Sequence, residues 1–444
     1  MEKEKILANR EHLNLVVPKN DGKEICVAGF VKTIRDVSKN LKFVILEDIS
    51  GEAQLTFLEK NLGEEKLKEV SELTPQSVIC AKGKVKKSEL CKRGVELIVS
   101  EFYLLSKSDA PLPIDITGEA HTSLDKRLDW RVIDLRDRKR RIIFQMLSDF
   151  EKFSREYFYE EGLTEIHTPK LMGAASESGA EVFEVKYFDK KAYLAQSPQF
   201  YKQMVLCGGF EKVFEIAPTF RAEPSYTTRH LTEFISLDVE IAYISSFEDL
   251  MKFEEKFLVY VLGKLKKKWG EIAKEEFGAE IDVPKIPFPK IKWRKVIEIL
   301  KERGLDIKEG EDFGTPGEKM LGEYVKEELK HDFVFITEFP WNLRPFYHMR
   351  KDKDTTLSFD LLYKGVEITT GAQREHRYDV LVSQAKEKGL DIKNLGFYLN
   401  FFRYGAPPHG GFGLGPSRVL MQLLNLQNIR ETTLLPRDPK RLSP

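Results

Sequence analysis

The chain has 444 residues, enough for two or three domains with cores of their own. Its 71 basic and 71 acidic residues cancel, so no overall field draws in a polyanion, and a nucleic-acid partner has to be met by local basic patches. Four cysteines (Cys26, Cys80, Cys91, Cys207) form no CxxC pair, no run approaches membrane-span length, and the amino terminus MEKEKILANREH lacks an apolar stretch; the expectation is a soluble cytoplasmic protein with reduced thiols and no cysteine metal site.

From about Lys23 to Lys107 the pattern reads strand, strand, strand, helix, strand, strand. ICVAGFVKTI, KFVILEDI and AQLTFLE are β-rich, NLGEEKLKEVSEL is an amphipathic helix, and SVICAKGKVKK and GVELIVSEFYLL resume strands. Five strands with a helix between the third and fourth is the order of an OB-fold barrel, which commonly holds single-stranded nucleic acid on one face. Lys84, Lys86, Lys87, Lys92 and Arg93 suit phosphate, although a solvated strand edge has the same look. Asp109 to Lys139 mixes prolines, turns and charge and reads as a linker. From Arg140 to Glu161 the apolar residues Ile142, Ile143, Met146, Phe150, Phe153 and Tyr157 recur at helical spacing, and Gly162 ends the run. Strands and helices such as Phe247 to Lys268 then alternate, and Lys264 to Glu280 reads as a solvated helix face. The predicted organisation is a barrel over 1–108, a linker over 109–139 and a larger domain over 140–444.

Three polar stretches of that larger domain carry chemistry. FRAEPSYTTRHL, from Phe220 to Leu231, packs Arg221, Glu223, Arg229 and His230 into one short run, and guanidinium groups so placed need anionic partners. GFGLGPSRVLMQLL sets Gly411, Gly413 and Gly415 before Arg418 and an apolar helical run, a pattern suited to phosphate. GVEITTGAQREH, from Gly365 to His376, supplies Glu367 and Thr370, hard oxygen ligands of the kind magnesium takes together with water and phosphates. Neither a GxxxxGK[ST] loop nor a GxGxxG after a strand is present, so a nucleotide triphosphate has to be handled by side chains.

FRAEPSYTTRHLTEFISLDVE resembles motif 2 of the class II aminoacyl-tRNA synthetases, GFGLGPSR their motif 3, and LTEIHTPKL, with Pro169, the end of motif 1. QSPQFYKQ (Gln196 to Gln203) and EITTGAQREH resemble the aspartyl members of compact archaeal and eukaryotic type, and the resemblance covers nearly the whole chain. It implies an α+β chain: a five-stranded OB-fold barrel that reads the anticodon, and a catalytic domain of antiparallel sheet flanked by helices. It also implies a homodimer built on the motif 1 helix. The implied reaction joins aspartate to ATP, releases pyrophosphate and passes the aspartyl group to tRNA(Asp). The substrates supply the nucleophiles, so the protein supplies orientation and countercharge.

Carried over residue by residue, the resemblance places Arg221 on the α-phosphate and the substrate carboxylate. Glu223 and His230 hold the adenine end, and Arg229 and Arg418 hold the phosphates, with Ala222, Leu231, Gly415, Pro416 and Ser417 completing the ATP site. Glu367, aided by Thr370, would carry Mg2+. Glu177, Gln199, Phe200, Tyr201, Lys202, Thr370 and Arg374 join Arg221 around aspartate, with Lys202 and Arg374 as the cations that separate it from asparagine. A unit charge pair about 4 Å apart is worth roughly 4 kcal/mol at an effective dielectric near 20, on the order of a thousandfold. Phe43, Gln54 and Glu96 fall where anticodon bases are stacked and read, although Phe43 also suits a barrel core. His409 in PPHGG is as suited to structure as to function. Ser417 departs from the acidic residue the family commonly has there, and Lys32 stands where relatives strict for tRNA(Asp) often have an aromatic, which leaves tRNA(Asn) open as a second substrate. A paralogue making free asparagine is expected to lack the barrel, and an RNA-binding protein with a dead site to lack the arginines.

Overall fold

Five strands organise the first unit, which ends at Thr122: β1 (Glu24–Ser38), β2 (Leu41–Asp48), β3 (Gly51–Leu58), β4 (Val78–Lys87) and β5 (Val95–Ser106). The computed structural model describes residues 2–89, 91, 93–118, 120–174, 181–224, 226–308 and 310–444. The strands close into a barrel in the order β1-β2-β3-β5-β4, with helices α1 (Glu2–Ala8), α2 (Glu59–Leu62) and α3 (Glu64–Ser71) beside them, the last in the predicted place. Alternation explains the closure. Along β2 every second residue is buried, and Val44 and Leu46 join Leu55, Phe57, Leu97 and Val99 in the barrel core, while Phe43 lies on the outer side.

The second unit starts at Ser123. The sequence places Ser123 to Lys139 in a linker, whereas here this stretch forms α4 (Leu124–Asp129), α5 (Arg131–Asp134) and the start of α6 (Arg138–Glu160). Its anchor is ionic: buried Arg131 pairs with Asp134 at 2.7 Å and donates to the carbonyls of Glu431, Thr433 and Leu434 at 3.1, 3.2 and 3.1 Å, and Arg127 pairs with Asp134 at 2.8 Å. An anchor made of ion pairs leaves no apolar period to read.

Along the chain follow β6 (Thr164–Glu165), β7 (Leu171–Met172), β8 (Glu184–Tyr187), β9 (Lys190–Leu194), α7 (Gln199–Cys207), β10 (Lys212–Phe220), β11 (Glu233–Ala242) and α8 (Phe247–Phe277). Then come β12 (Lys290–Lys292), α9 (Trp293–Glu302), α10 (Gly314–Glu328), β13 (Phe333–Thr337), β14 (Ser358–Tyr363), β15 (Val366–Gln373), α11 (Tyr378–Glu387), α12 (Gly396–Phe402), β16 (His409–Leu414) and α13 (Pro416–Leu423). Eight strands form one sheet, β12-β13-β14-β15-β16-β11-β10-β6, antiparallel from β13 through β10 and parallel at each edge. Helices α6 and α8 share a core with one face of it. The predicted apolar residues of α6 are all buried there with Phe257, Leu258, Val239, Phe359 and Phe412, so that stripe is spent on the chain's own core. The opposite face of the sheet carries the polar residues.

One buried group sits on the wrong side of that division. Glu254 of α8 is fully buried beneath Thr369, and burial pushes its carboxyl up to about 8, the Thr369 hydroxyl opposing and Glu255 and Asp360 adding. Its folded value lies above the ordinary 4.5, so its contribution to stability is complete below about pH 4.5 and is lost as pH rises through 8. Glu254→Gln is therefore expected to flatten the fall in Tm between pH 5 and pH 8.5, measured by thermal unfolding. An unchanged slope would mean that the carboxyl ionises within the fold.

Candidate active site

Strand periodicity sorts the side chains of the sheet. On β11, Leu237, Val239 and Ile241 enter the helix-side core, which turns Ser236, Asp238 and Glu240 to the other face. Next to them β16 is nearly bare. A side chain at Gly411 would overlap the Val239 carbonyl and the Glu240 carboxylate, and one at Gly413 would stand 3.2 Å from Asp238. Gly411 and Gly413, which the sequence suggests admit phosphate, make room for the protein's own carboxylates.

Glu367 and Thr370 are three residues apart and would face opposite ways on a regular strand. A register shift solves this: Leu361 pairs with Thr369 but Leu362 with Glu367, so Ile368 is the extra residue, and the Thr370 hydroxyl donates to Glu367 Oε1 at 3.2 Å. Opposite Thr370 on β14 lies Asp360. Burial pushes its carboxyl up to about 7, Glu367 adding and Arg344, paired with it at 2.7 Å, opposing. Neighbouring hard oxygens held in mutual tension fit Mg2+, which would relieve the repulsion and complete its shell with water and phosphates. Among the described residues no three His, Cys, Asp or Glu side chains form a metal cluster, so a cage made by protein alone is not what these groups build.

These elements surround a cavity of about 330 Å³, lined by five arginines (Arg221, Arg229, Arg344, Arg374, Arg418) and three carboxylates (Glu223, Asp238, Glu367). The cations fall in two groups. Arg221, Arg229 and Arg418 act on His230, whose imidazole is driven down to about 4 by burial first and then by Arg418 and Arg229, so it is neutral at neutral pH. Arg374, Arg344 and Lys202 act on His348, which burial and these cations hold well below its usual range.

In the first group, Arg418 Nη1 donates to the Glu367 carbonyl at 2.8 Å, and Arg229 is gripped by Glu318. Arg221 stands differently. Its Nε has no hydrogen-bond acceptor among the described residues, its contact with Glu223 is long at 3.9 Å, and the guanidinium lies 5.6 Å from the Phe234 ring centre. Glu223 also sits 4.0 Å from His230. Leu231, Gly415 and Ser417 line the same cavity; Ala222 and Pro416 do not, Pro416 being the first residue of α13.

In the second group, Arg374 donates to Glu240 at 3.0 Å, to the Gly411 carbonyl at 3.0 Å and to His348 at 2.9 Å. Lys202 pairs with Asp238 at 3.0 Å and Glu240 at 3.2 Å. Burial would raise the Glu240 carboxyl, but Arg374 and Lys202 outweigh it and hold it below its ordinary value. Lys202 itself is buried and does not line the cavity; it stands behind Asp238, which does. Gln199 lines the cavity and donates to Gln203 at 2.8 Å, which meets His409 at 2.9 Å. His409 is thus a buried support of α7. Phe200 and Tyr201, expected at the amino acid, do not line the cavity: helical rotation turns Phe200 into a stack on Tyr398 at 4.5 Å and Tyr201 toward Phe397. Glu177 lies outside the described residues, as does Lys92.

Sequence reading missed Asp238, Glu240, Arg344, His348, Asp360 and Glu318. The acidic alternation in SLDVE and the lone Asp in LSFDLLY were visible signals for three of them.

On the barrel, Phe43, Gln54 and Glu96 come together on the outer side of β2, β3 and β5. Phe43 pairs with Thr56, whose hydroxyl bonds Glu96, and Gln54 donates to Glu96 at 3.3 Å. Phe43 is no part of the barrel core. Lys32 pairs with Glu52 and reaches Glu47 at 4.0 Å.

The profile of the tRNA synthetases class II (D, K and N) matches residues 123–439, and that of the OB-fold nucleic acid binding domain matches residues 25–105. The chain belongs to the class II tRNA synthetases. It is an ATP-dependent ligase with an anticodon-binding barrel. An aspartate–tRNA(Asp/Asn) ligase of Aeropyrum pernix is 46% identical over 95% of this synthetase and 96% of the relative, and an aspartate–tRNA(Asp) ligase of Pyrococcus furiosus 45% identical over 97% and 98%. Among solved structures, the asparaginyl-tRNA synthetase of Pyrococcus horikoshii with asparaginyl-adenylate superposes with a TM-score of 0.90 at 33% identity, covering 98% of this chain and 99% of that one. The aspartyl enzyme of Entamoeba histolytica gives 0.87 at 32%, covering 98% and 92%. Aspartyl and asparaginyl enzymes share this backbone, so the choice between the two amino acids lies in side chains. No described helix is long and apolar enough to cross a membrane.

Proposed function

We propose that this synthetase activates L-aspartate with ATP and Mg2+ and transfers it to tRNA. The chain is an aspartate–tRNA ligase. The observation that carries the amino-acid choice is the buried set of Lys202, Asp238, Glu240 and Arg374 under one end of the cavity. A substrate carboxylate is met there by Arg374 with Lys202 behind it, whereas the uncharged amide of asparagine gains little from those cations.

The first group of arginines takes the nucleotide. Arg221 faces the α-phosphate and the reacting carboxylate, where charge is redistributed; Arg229 and Arg418 take the other phosphates, and the neutral His230 with Glu223 takes the adenine end. Glu367 and Thr370 would hold Mg2+, with Asp360 buried beside Thr370, and the ion would supply charge neutralisation along the phosphates. Glu177 is assigned to the substrate ammonium, together with Gln199. Phe43 stacks an anticodon base while Gln54 and Glu96 read base edges. The chain works as a homodimer in the cytoplasm; exposed Trp130, Val132 and Tyr159, beside and on α6, offer apolar surface for a partner copy.

A second reading, charging of tRNA(Asn) as well, is favoured by Lys32, a cation paired with Glu52 and Glu47 at the barrel position where an aromatic would check the anticodon more strictly. Charging of tRNA(Asp) and tRNA(Asn) transcripts by the purified chain tests both. Aspartylation of tRNA(Asp) is expected in either case. If neither transcript accepts aspartate the function is wrong, and if tRNA(Asn) stays uncharged the second reading falls.

A further inference from the structure

The stretch between α8 and β13, to which the sequence assigns no role, reaches the nucleotide end of the cavity. Glu318 of α10 accepts from Arg229 Nη1 at 2.8 Å, from Arg229 Nη2 at 3.2 Å and from the backbone N–H of Glu367 at 2.7 Å; Arg229 Nη2 also meets the Thr315 hydroxyl. One carboxylate therefore fastens a motif 2 arginine to the strand that carries the metal ligands.

The seat of α10 is equally constrained. Gly322, one turn beyond Glu318 on the same face, packs on the β14–β15 turn so tightly that a Cβ would stand 2.5 Å from the backbone of Gly365, itself at φ +73°. Helix and turn meet backbone to backbone, which fixes how far Glu318 reaches. Glu318 does not line the cavity, whereas Arg229 and Glu367 do.

We propose that Glu318 is a positioning residue for ATP, holding Arg229 and the Glu367 backbone in the arrangement the phosphates and their metal require, so that α10 is part of the nucleotide site. This rests on the cavity being the ATP site of the synthetase. A bidentate carboxylate restricts the guanidinium to one plane where Arg229 lines the cavity. Without it, Arg229 would have to be ordered by the nucleotide, at the expense of affinity.

The test compares the full-length wild type with Glu318→Ala, Glu318→Gln and Glu318→Asp. Mg-ATP binding is read by calorimetry, and KM for ATP and for aspartate in ATP–pyrophosphate exchange. Loss of charged hydrogen bonds is expected to weaken ATP about ten- to a hundredfold in Glu318→Ala. Glu318→Asp should recover part of this and Glu318→Gln fall between, while KM for aspartate stays within about twofold, a split that general loosening of the fold would not produce. Gly322→Ala keeps the carboxylate but pushes α10 off the turn and should show the same ATP-selective loss. ATP binding in Glu318→Ala as tight as in the wild type, or tighter, overturns the proposal, as does equal loss of ATP and aspartate. Wild-type protein that binds ATP but shows no aspartate-dependent exchange would defeat the aspartate assignment alone, and calorimetry would still decide the role of Glu318.

Discussion

Arg221→Ala is expected to slow aspartate-dependent ATP–pyrophosphate exchange by roughly 10²- to 10³-fold, the range for removing one preorganised donor from a developing anion. The arginines of the nucleotide end differ in how far the protein has already used them. Arg229 is gripped by Glu318 and Arg418 donates to the Glu367 carbonyl, whereas Arg221 Nε has no acceptor among the described residues and its contact with Glu223 is long. Its donors await the ligand. For the same reason the change removes no strong internal bond, so Tm should hardly move while kcat falls. A large drop in Tm with kcat kept would place Arg221 in the architecture rather than in the chemistry.

Lys202→Ala should behave in the opposite way, with loss of stability and loss of function together. Lys202 and Arg374 balance Asp238 and Glu240, so the buried set is neutral as it stands. Removing the lysine leaves surplus negative charge beneath the cavity. Breaking a buried pair in this manner costs about 3–5 kcal/mol of stability, and the surplus charge repels the aspartate side chain, an effect on the order of a thousandfold at close range. ATP binding should change little. A second change, Glu240→Gln, restores neutrality and should recover stability in thermal unfolding. If Lys202→Ala left Tm and aspartate KM unaltered, the ion set would have no part in either.

That neutrality also revises the simplest reading of specificity. Two cations awaiting a carboxylate would each contribute their full attraction, but here both are already engaged, and Arg374 is shared among Glu240, Gly411 and His348. Selection of aspartate rests on a cluster that tolerates one more anion, with His348 held neutral and so able to accept from Arg374.

Much of the architecture was legible because it follows from periodicity and from short polar motifs. The barrel strands alternate visibly, and FRAEPSYTTRHL, EITTGAQREH and GFGLGPSR each deliver residues to one cavity. The less legible features are relations rather than residues. Glu367 and Thr370 share a face only because Ile368 is extruded, which no spacing rule announces. Phe200 and Tyr201 adjoin Lys202 in sequence, yet helical rotation sends them into an aromatic core. Arg131 and Glu318 are charged anchors in stretches of polar composition, of which the sequence reads the first as linker and assigns the second no role.

The most direct measurement is ATP–pyrophosphate exchange by purified protein with aspartate or asparagine as the amino acid. Robust exchange with aspartate and at most a trace with asparagine is expected from a neutral, cation-bearing pocket that takes one further anion. Exchange supported equally well or better by asparagine would contradict it.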